Sequence, residues 1–195
     1  MRGHSTGELD ASEHQRIVQS LVTPRPIGWI STTSESGVDN LAPFSCFNYA
    51  NVSPPVLQVR CGKRENGDLK DTPRNILDTE EFVANLVTES VLEEMDATGA
   101  SLPPDQSEFD DAGIQRAESE TVDPPRVEAA KAQMECTLHD HVFVHDSIVL
   151  FGEVTYFHLS EEIMEDGDVV MEQVNSVGRL GGPYYTRSDP IEFER

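Results

Sequence analysis

Lysine is nearly missing from this chain. It occurs three times in 195 residues, beside 11 arginines and 36 acidic residues, and the formal net charge is −22. A field of that sign draws a protein neither to nucleic acid nor to an anionic membrane surface. Cysteine is also scarce: Cys46, Cys61 and Cys136 are odd in number and far apart. That excludes a disulfide framework and fits a reducing, cytoplasmic setting. Apolar runs stop after a few residues, far short of the ~20 needed to cross a bilayer. No basic stretch followed by an apolar one opens the chain, so no secretory signal is expected. The strings GxGxxG and P-loop are absent, which disfavours a doubly wound nucleotide-binding sheet, and neither a nucleophile elbow nor HExxH is present.

Length is sufficient. A domain of this size buries roughly 70% of the surface of its unfolded chain and needs no staple. Abundant acids with little lysine are the surface habit of proteins that work in concentrated salt, which screens repulsion within ~3 Å at 1 M. A halophilic protein is therefore expected. The charge is unevenly spread. Residues 77–172 hold 25 acids and three bases, whereas residues 21–76 hold six bases and five acids. Residues 173–188 carry Arg179 and Arg187 and no acid. Two of the three lysines, Lys63 and Lys70, fall within eight residues, beside Arg60, Arg64 and Arg74. Burial explains a neutral segment; it does not explain a basic cluster, which points to an anionic ligand.

Strands are expected at residues 26–33, 40–50, 54–61 and 81–87, each rich in β-branched or aromatic residues and bounded by turn formers. Pro43 marks its strand as an edge or a bulge. Asp71 or Thr72 reads as an N-cap with Pro73 in the first helical position, and the helix runs to Thr79. Thr88 caps a second helix over residues 89–96. Residues 97–125 are polar, with one helical turn near 108–112, and two more strands are joined through His141–His145. Short helices inserted among five or six strands predict a mainly β, Greek-key barrel rather than a doubly wound sheet.

Three stretches carry candidate chemistry. In KDTPRN (Lys70–Asn75) a helix N-terminus, with free N–H groups and a positive dipole end, adjoins a lysine and a threonine hydroxyl, which suits phosphate. The alternative is an ordinary capped helix beside a stray lysine. In NLAPFSCFN (Asn40–Asn48) small residues let a flat ligand approach the backbone, although, taken alone, an edge strand blunted by proline is the better reading. In RLGGPYYT (Arg179–Thr186) two glycines, two tyrosines and an arginine form a loop suited to covering a planar ligand or to packing an interface. The run CTLHDHVFVH (Cys136–His145) lacks the paired spacing of a zinc site, and no metal is expected. Cys46 reads as a small packing residue.

In order and at similar spacing, TPRPIGWISTT, NLAPFSCFN, VSPPVLQV, KDTPRNI, EFVANLV and RLGGPYYT make the chain resemble the flavin reductase-like FMN-binding split-barrel family, flavoredoxins included. The resemblance spans residues 15–187, leaving an N-terminal extension at 1–14 and a C-terminal tail at 188–195. It implies a split β-barrel homodimer with FMN near the interface. By that likeness Asn40, Ala42, Pro43, Ser45, Cys46, Phe47 and Asn48 line the ring and ribityl chain. Lys70, Asp71, Thr72 and Asn75 surround the phosphate, Arg25 assists, and Arg179 and Tyr184 lie in a closing segment. No thiol chemistry is carried over to Cys46. The implied activity passes electrons from NAD(P)H, or from a redox protein, through FMN to an acceptor. An FMN electron carrier and a barrel binding some other small ligand are the alternatives. A nucleic-acid-binding barrel is disfavoured by the charge.

Overall fold

The computed structural model describes residues 1–193; the last two residues of the expected tail lie outside the described residues. α1 (Ala11–Leu21) comes first, followed by β1 (Arg25–Pro26), β2 (Gly28–Thr33), β3 (Asp39–Phe44), β4 (Phe47–Val52) and β5 (Pro55–Gly62). α2 (Asp71–Thr79) leads into β6 (Glu81–Leu86) and, past a 3₁₀ turn at Glu89–Val91, α3 (Leu92–Ala97). Residues 97–125 form an acidic excursion that contains α4 (Glu108–Asp111) and β7 (Arg116–Ala117), and β8 (Arg126–Val127) follows it. β9 (Ala132–Val144) and β10 (Ser147–Leu159) form one long hairpin. β11 (Met164–Glu165), β12 (Asp168–Val169), α5 (Met171–Val174), β13 (Val177–Arg179) and β14 (Tyr185–Arg187) complete the order.

The main sheet has seven strands in the order β3-β2-β6-β9-β10-β5-β4, every pair antiparallel. β3 and β4 occupy its two edges, yet only Ser45 and Cys46 separate them. The three Cα–Cα steps from Phe44 to Phe47 reach about 11 Å. Six strand spacings laid flat would part the edges by about 29 Å. The sheet therefore curls until its edges meet, as a split barrel; Arg60 N donates to Cys46 O at 2.9 Å, which carries the β4–β5 ladder into the connecting residues. The stretch 40–50, expected as one strand, is thus two strands that change edges.

Side chains on the inner face make the barrel core, among them Ile30, Val59, Phe82, Cys136, Ile148 and Leu150, with Ile76 of α2 packed against them. A second core lies outside the sheet around Trp29, Leu41, Met95, Phe109 and Val127. β2 feeds both, since adjacent Trp29 and Ile30 point to opposite faces and are both fully buried. Pro43 sits in edge strand β3 opposite Trp29, and no bulge interrupts that ladder. Nearby Leu41 N turns outward to Glu108 Oε2 at 3.0 Å, so α4 satisfies a donor of the open edge.

Three further local expectations change. The segment 89–96 is a 3₁₀ turn followed by α3 rather than one helix. His141–Val144 belong to β9, and the hairpin reverses at His145, which has φ 52°. α1 begins inside the expected extension, started by a capping box in which Asp10 accepts from Glu13 N. None of its residues is buried.

Candidate functional site

α2 starts earlier than expected. Lys70 stands at the N-cap position without a side-chain cap, Asp71 is the first helical residue, and Pro73 falls in the third position. Asp71 does not cap because its carboxylate is held by Arg64 at 2.6 Å and Arg74 at 3.6 Å. Both arginines also donate to Leu69 O. Arg64 and Arg74 are therefore engaged by groups of the fold, and the backbone N–H groups of Asp71 and Thr72 find no acceptor among the described residues. Lys70 is exposed and has no charged partner there. A positive helix end, two open N–H groups and one lysine thus converge.

Thr72 completes that group. Its hydroxyl is buried against Asn40, whose Nδ2 donates to Thr72 Oγ1 at 2.9 Å and to Thr32 Oγ1 at 3.3 Å. Asn75, from the same face of α2, donates its Nδ2 to Thr32 Oγ1 at 3.0 Å. The expected residues Asn40, Thr72 and Asn75 are accordingly one network, joined by Thr32, which no sequence signal singled out.

A cleft of about 450 Å³ opens beside this network. Asn40, Ala42, Pro43, Lys70, Asp71 and Thr72 form one wall, while Thr98–Leu102 and Glu108 form the other. A second compartment of about 390 Å³ touches Arg25, Pro43, Ser45, Asp96, Arg179 and Tyr185, with Gln15 and Gln19 of α1 at its edge. Pro43 and Gly99 line both, so the two compartments adjoin. Chain segments near residues 25, 43, 71, 99 and 180 meet there.

Five expected residues line neither space. Asn75 faces Thr32. The Phe47 ring packs over Gly28, where a Cβ would come within 2.6 Å of it. Cys46 is exposed, with its Sγ 3.7 Å from Arg60. Asn48 is exposed and accepts from Tyr49 N. Tyr184 is 67% exposed. Its neighbour Tyr185 is the inward residue. Its hydroxyl donates to Asp96 Oδ1 at 2.8 Å, and the Arg179 guanidinium stacks on its ring at 4.4 Å. Burial, then the bond to Asp96, pushes the Tyr185 phenol above its usual pKa. β14 begins at Tyr185 and leaves Tyr184 outside the strand, and the sequence alone does not set that boundary.

Arg25 is buried and spends its guanidinium on backbone carbonyls: Gln19 and Val22 at the end of α1, and Leu180 in the closing segment. It holds the second compartment together instead of offering free charge. Glu108 is the buried acid of the first cleft, and burial raises its carboxyl pKa against the opposing effect of the Leu41 N–H bond. The excursion 97–125, which gave no functional signal in sequence, thus supplies a wall. The thiols of Cys61 and Cys136 are shielded, with burial pushing Cys61 up to about 12 and Cys136 upward as well. No group of three or more metal-ligating side chains lies together among the described residues. No helix among them is long and apolar enough to cross a membrane.

A curled split barrel carrying an anion-ready helix start beside a small-residue edge strand defines a flavin reductase-like protein, and residues 20–176 match the family described as flavin reductase like domain. The chain belongs to that family. A protein of Aquifex aeolicus (strain VF5) is 43% identical over 182 residues, covering 93% of each chain. The crystal structure of nitrilotriacetate monooxygenase component B from Bacillus cereus superposes with a TM-score of 0.94 at 30% identity, covering 100% of this chain and 98% of that one. Pseudomonas fluorescens 2-nitrobenzoate 2-nitroreductase NbaA gives 0.90 at 29% identity, covering 100% and 96%.

Proposed function

We propose that this protein is an FMN-dependent oxidoreductase of the flavin reductase type, acting as a homodimer in concentrated salt. The observation that carries this is the meeting of Lys70, the Thr72 hydroxyl and the open N–H groups of α2 at one end of the cleft. That donor set suits a phosphate dianion. Ala42, Pro43 and Gly99 have short side chains or none, which leaves the width a planar ring needs. The residues present therefore fit FMN. The bound flavin would supply the redox chemistry, taking hydride from a reduced nicotinamide and releasing electrons to an acceptor.

The protein's own part is position, charge and access. Lys70 and Thr72 hold the phosphate. β3, held by the Leu41–Glu108 bond, would supply the wall against which the ring is bound. The second compartment, with its Tyr185–Arg179 stack and the Asp96 carboxylate, would receive the second reactant. The designations of the neighbours as a monooxygenase component and a nitroreductase support electron delivery to an acceptor outside the barrel. Exposed apolar side chains on β4, β9 and β10, including Tyr49, Val52, Phe143 and Phe157, support pairing with a second copy.

The test is a spectrum of the purified protein in molar salt, followed by chromatography of the released flavin and anaerobic mixing with NADH and NADPH. FMN absorbance that bleaches with either nucleotide is the expected result. Released FAD would overturn the choice of cofactor. Bound FMN that neither nucleotide reduces would leave an electron carrier.

A further inference from the structure

Thr32 touches neither compartment, yet it is bonded to Asn40, which in turn meets the threonine of the cleft. It lies on β2 directly across from Asn40 of β3 and is fully buried. Its hydroxyl oxygen receives two amide donors, Asn40 Nδ2 at 3.3 Å and Asn75 Nδ2 at 3.0 Å. A hydroxyl oxygen has two acceptor sites and one proton, so Thr32 is saturated as an acceptor. Asn40 meets both threonines through its Nδ2. Its other N–H goes to Thr72 Oγ1 at 2.9 Å.

The polarity of that last bond matters. With Asn40 donating, Thr72 keeps its own proton, for which the described residues provide no acceptor. Thr72 is 2% exposed and lines the cleft, so this is a desolvated donor beside the α2 terminus. If the Asn40 amide turned over, its Oδ1 would capture the proton and leave the cleft a lone pair facing an anion.

We infer that Thr32 is a positioning residue for phosphate: by accepting the Asn40 and Asn75 amides, it locks Asn40 as a donor and reserves the Thr72 proton for a phosphate oxygen. This rests on the flavin reading above and goes beyond it by giving a residue outside the cleft the choice of ligand charge.

The test compares FMN with riboflavin, which lacks the phosphate, in wild-type protein, Thr32→Val, Thr32→Ser and Thr72→Val, with binding read by flavin fluorescence. Thr32→Val should weaken FMN about tenfold, the scale of one hydrogen bond to a charged group, and leave riboflavin unchanged. Thr32→Ser should restore FMN binding. Thr72→Val should show the same phosphate-specific loss, and the double valine variant should lose no more than Thr72→Val alone. Equal weakening of both ligands, an unchanged FMN to riboflavin ratio, or no rescue by serine would overturn the inference. If wild-type protein binds no flavin, the proposed function fails. Inorganic phosphate then decides this inference: about tenfold weaker binding in Thr32→Val upholds it, and equal binding overturns it.

Discussion

Phe44 and Phe47 are three residues apart in the chain and belong to opposite edges of one seven-stranded sheet. Gly28 stands opposite Phe44 in the β2–β3 register, and the Phe47 ring lies over it. The turn that closes the barrel therefore rests on a residue without a side chain. A Cβ at position 28 would meet the Phe47 ring at 2.6 Å, and relaxation is resisted because β2 is buried on both faces. Gly28→Ala should cost about 1–3 kcal/mol in urea unfolding. Gly62→Ala is the control, since a Cβ there meets nothing within 4 Å. Equal stability of the two variants would refute the account of closure.

Glu135 anchors the acidic excursion to the barrel. It is fully buried and accepts from Glu120 N at 2.8 Å, Thr121 N at 2.6 Å and Thr121 Oγ1 at 2.7 Å, with His158 Nε2 at 2.6 Å. Burial alone would raise its pKa, but these bonds outweigh it and hold the carboxyl below the usual value. The unfolded chain then binds the proton more readily than the folded one. The stabilisation is complete above the ordinary glutamate pKa and is lost as pH falls through the lowered folded value. Glu135→Gln should cost about 3 kcal/mol at neutral pH and flatten the acid limb of the stability curve. An unchanged acid limb would count against the anchor.

α1 buries none of its residues, and Arg25 ties its end to the barrel by donating to Gln19 O and Val22 O. Arg25→Met should release the helix. Limited proteolysis should then cut within residues 1–22 several times faster, while the barrel stays intact. Cleavage at the wild-type rate would mean that other contacts hold the helix.

The excess of 25 acids over three bases in residues 77–172 should make stability depend on salt. The melting temperature should rise between roughly 0.1 and 2 M KCl as the Debye length falls below about 3 Å. A flat response would show that the acids are far enough apart to need no screening.

The strands around Trp29, Val59 and Val83 were legible because β-branched and aromatic runs between turn formers report local backbone preference. The α2 helix was legible too, although its start lay one or two residues earlier. Asp71 is a good N-cap by type, and two arginines that fold back onto it take its carboxylate instead. The edge status of Pro43 followed from its missing N–H. The break at Ser45–Cys46 did not show, because apolar residues continue across it; only closure of the sheet requires the strand to change edges.

The same division holds for the site. The amino-acid sequence by itself determined a mainly β chain of extreme negative charge that keeps lysine beside a helix start, because composition and capping chemistry are local properties. Tertiary structure alone decided that Thr32 joins Asn40, Asn75 and Thr72, that Tyr185 rather than Tyr184 faces inward, and that the acidic excursion walls the cleft. Those outcomes depend on strand register and on which distant segments the curled sheet brings within hydrogen-bond reach, and neither is encoded in the neighbours of any one residue.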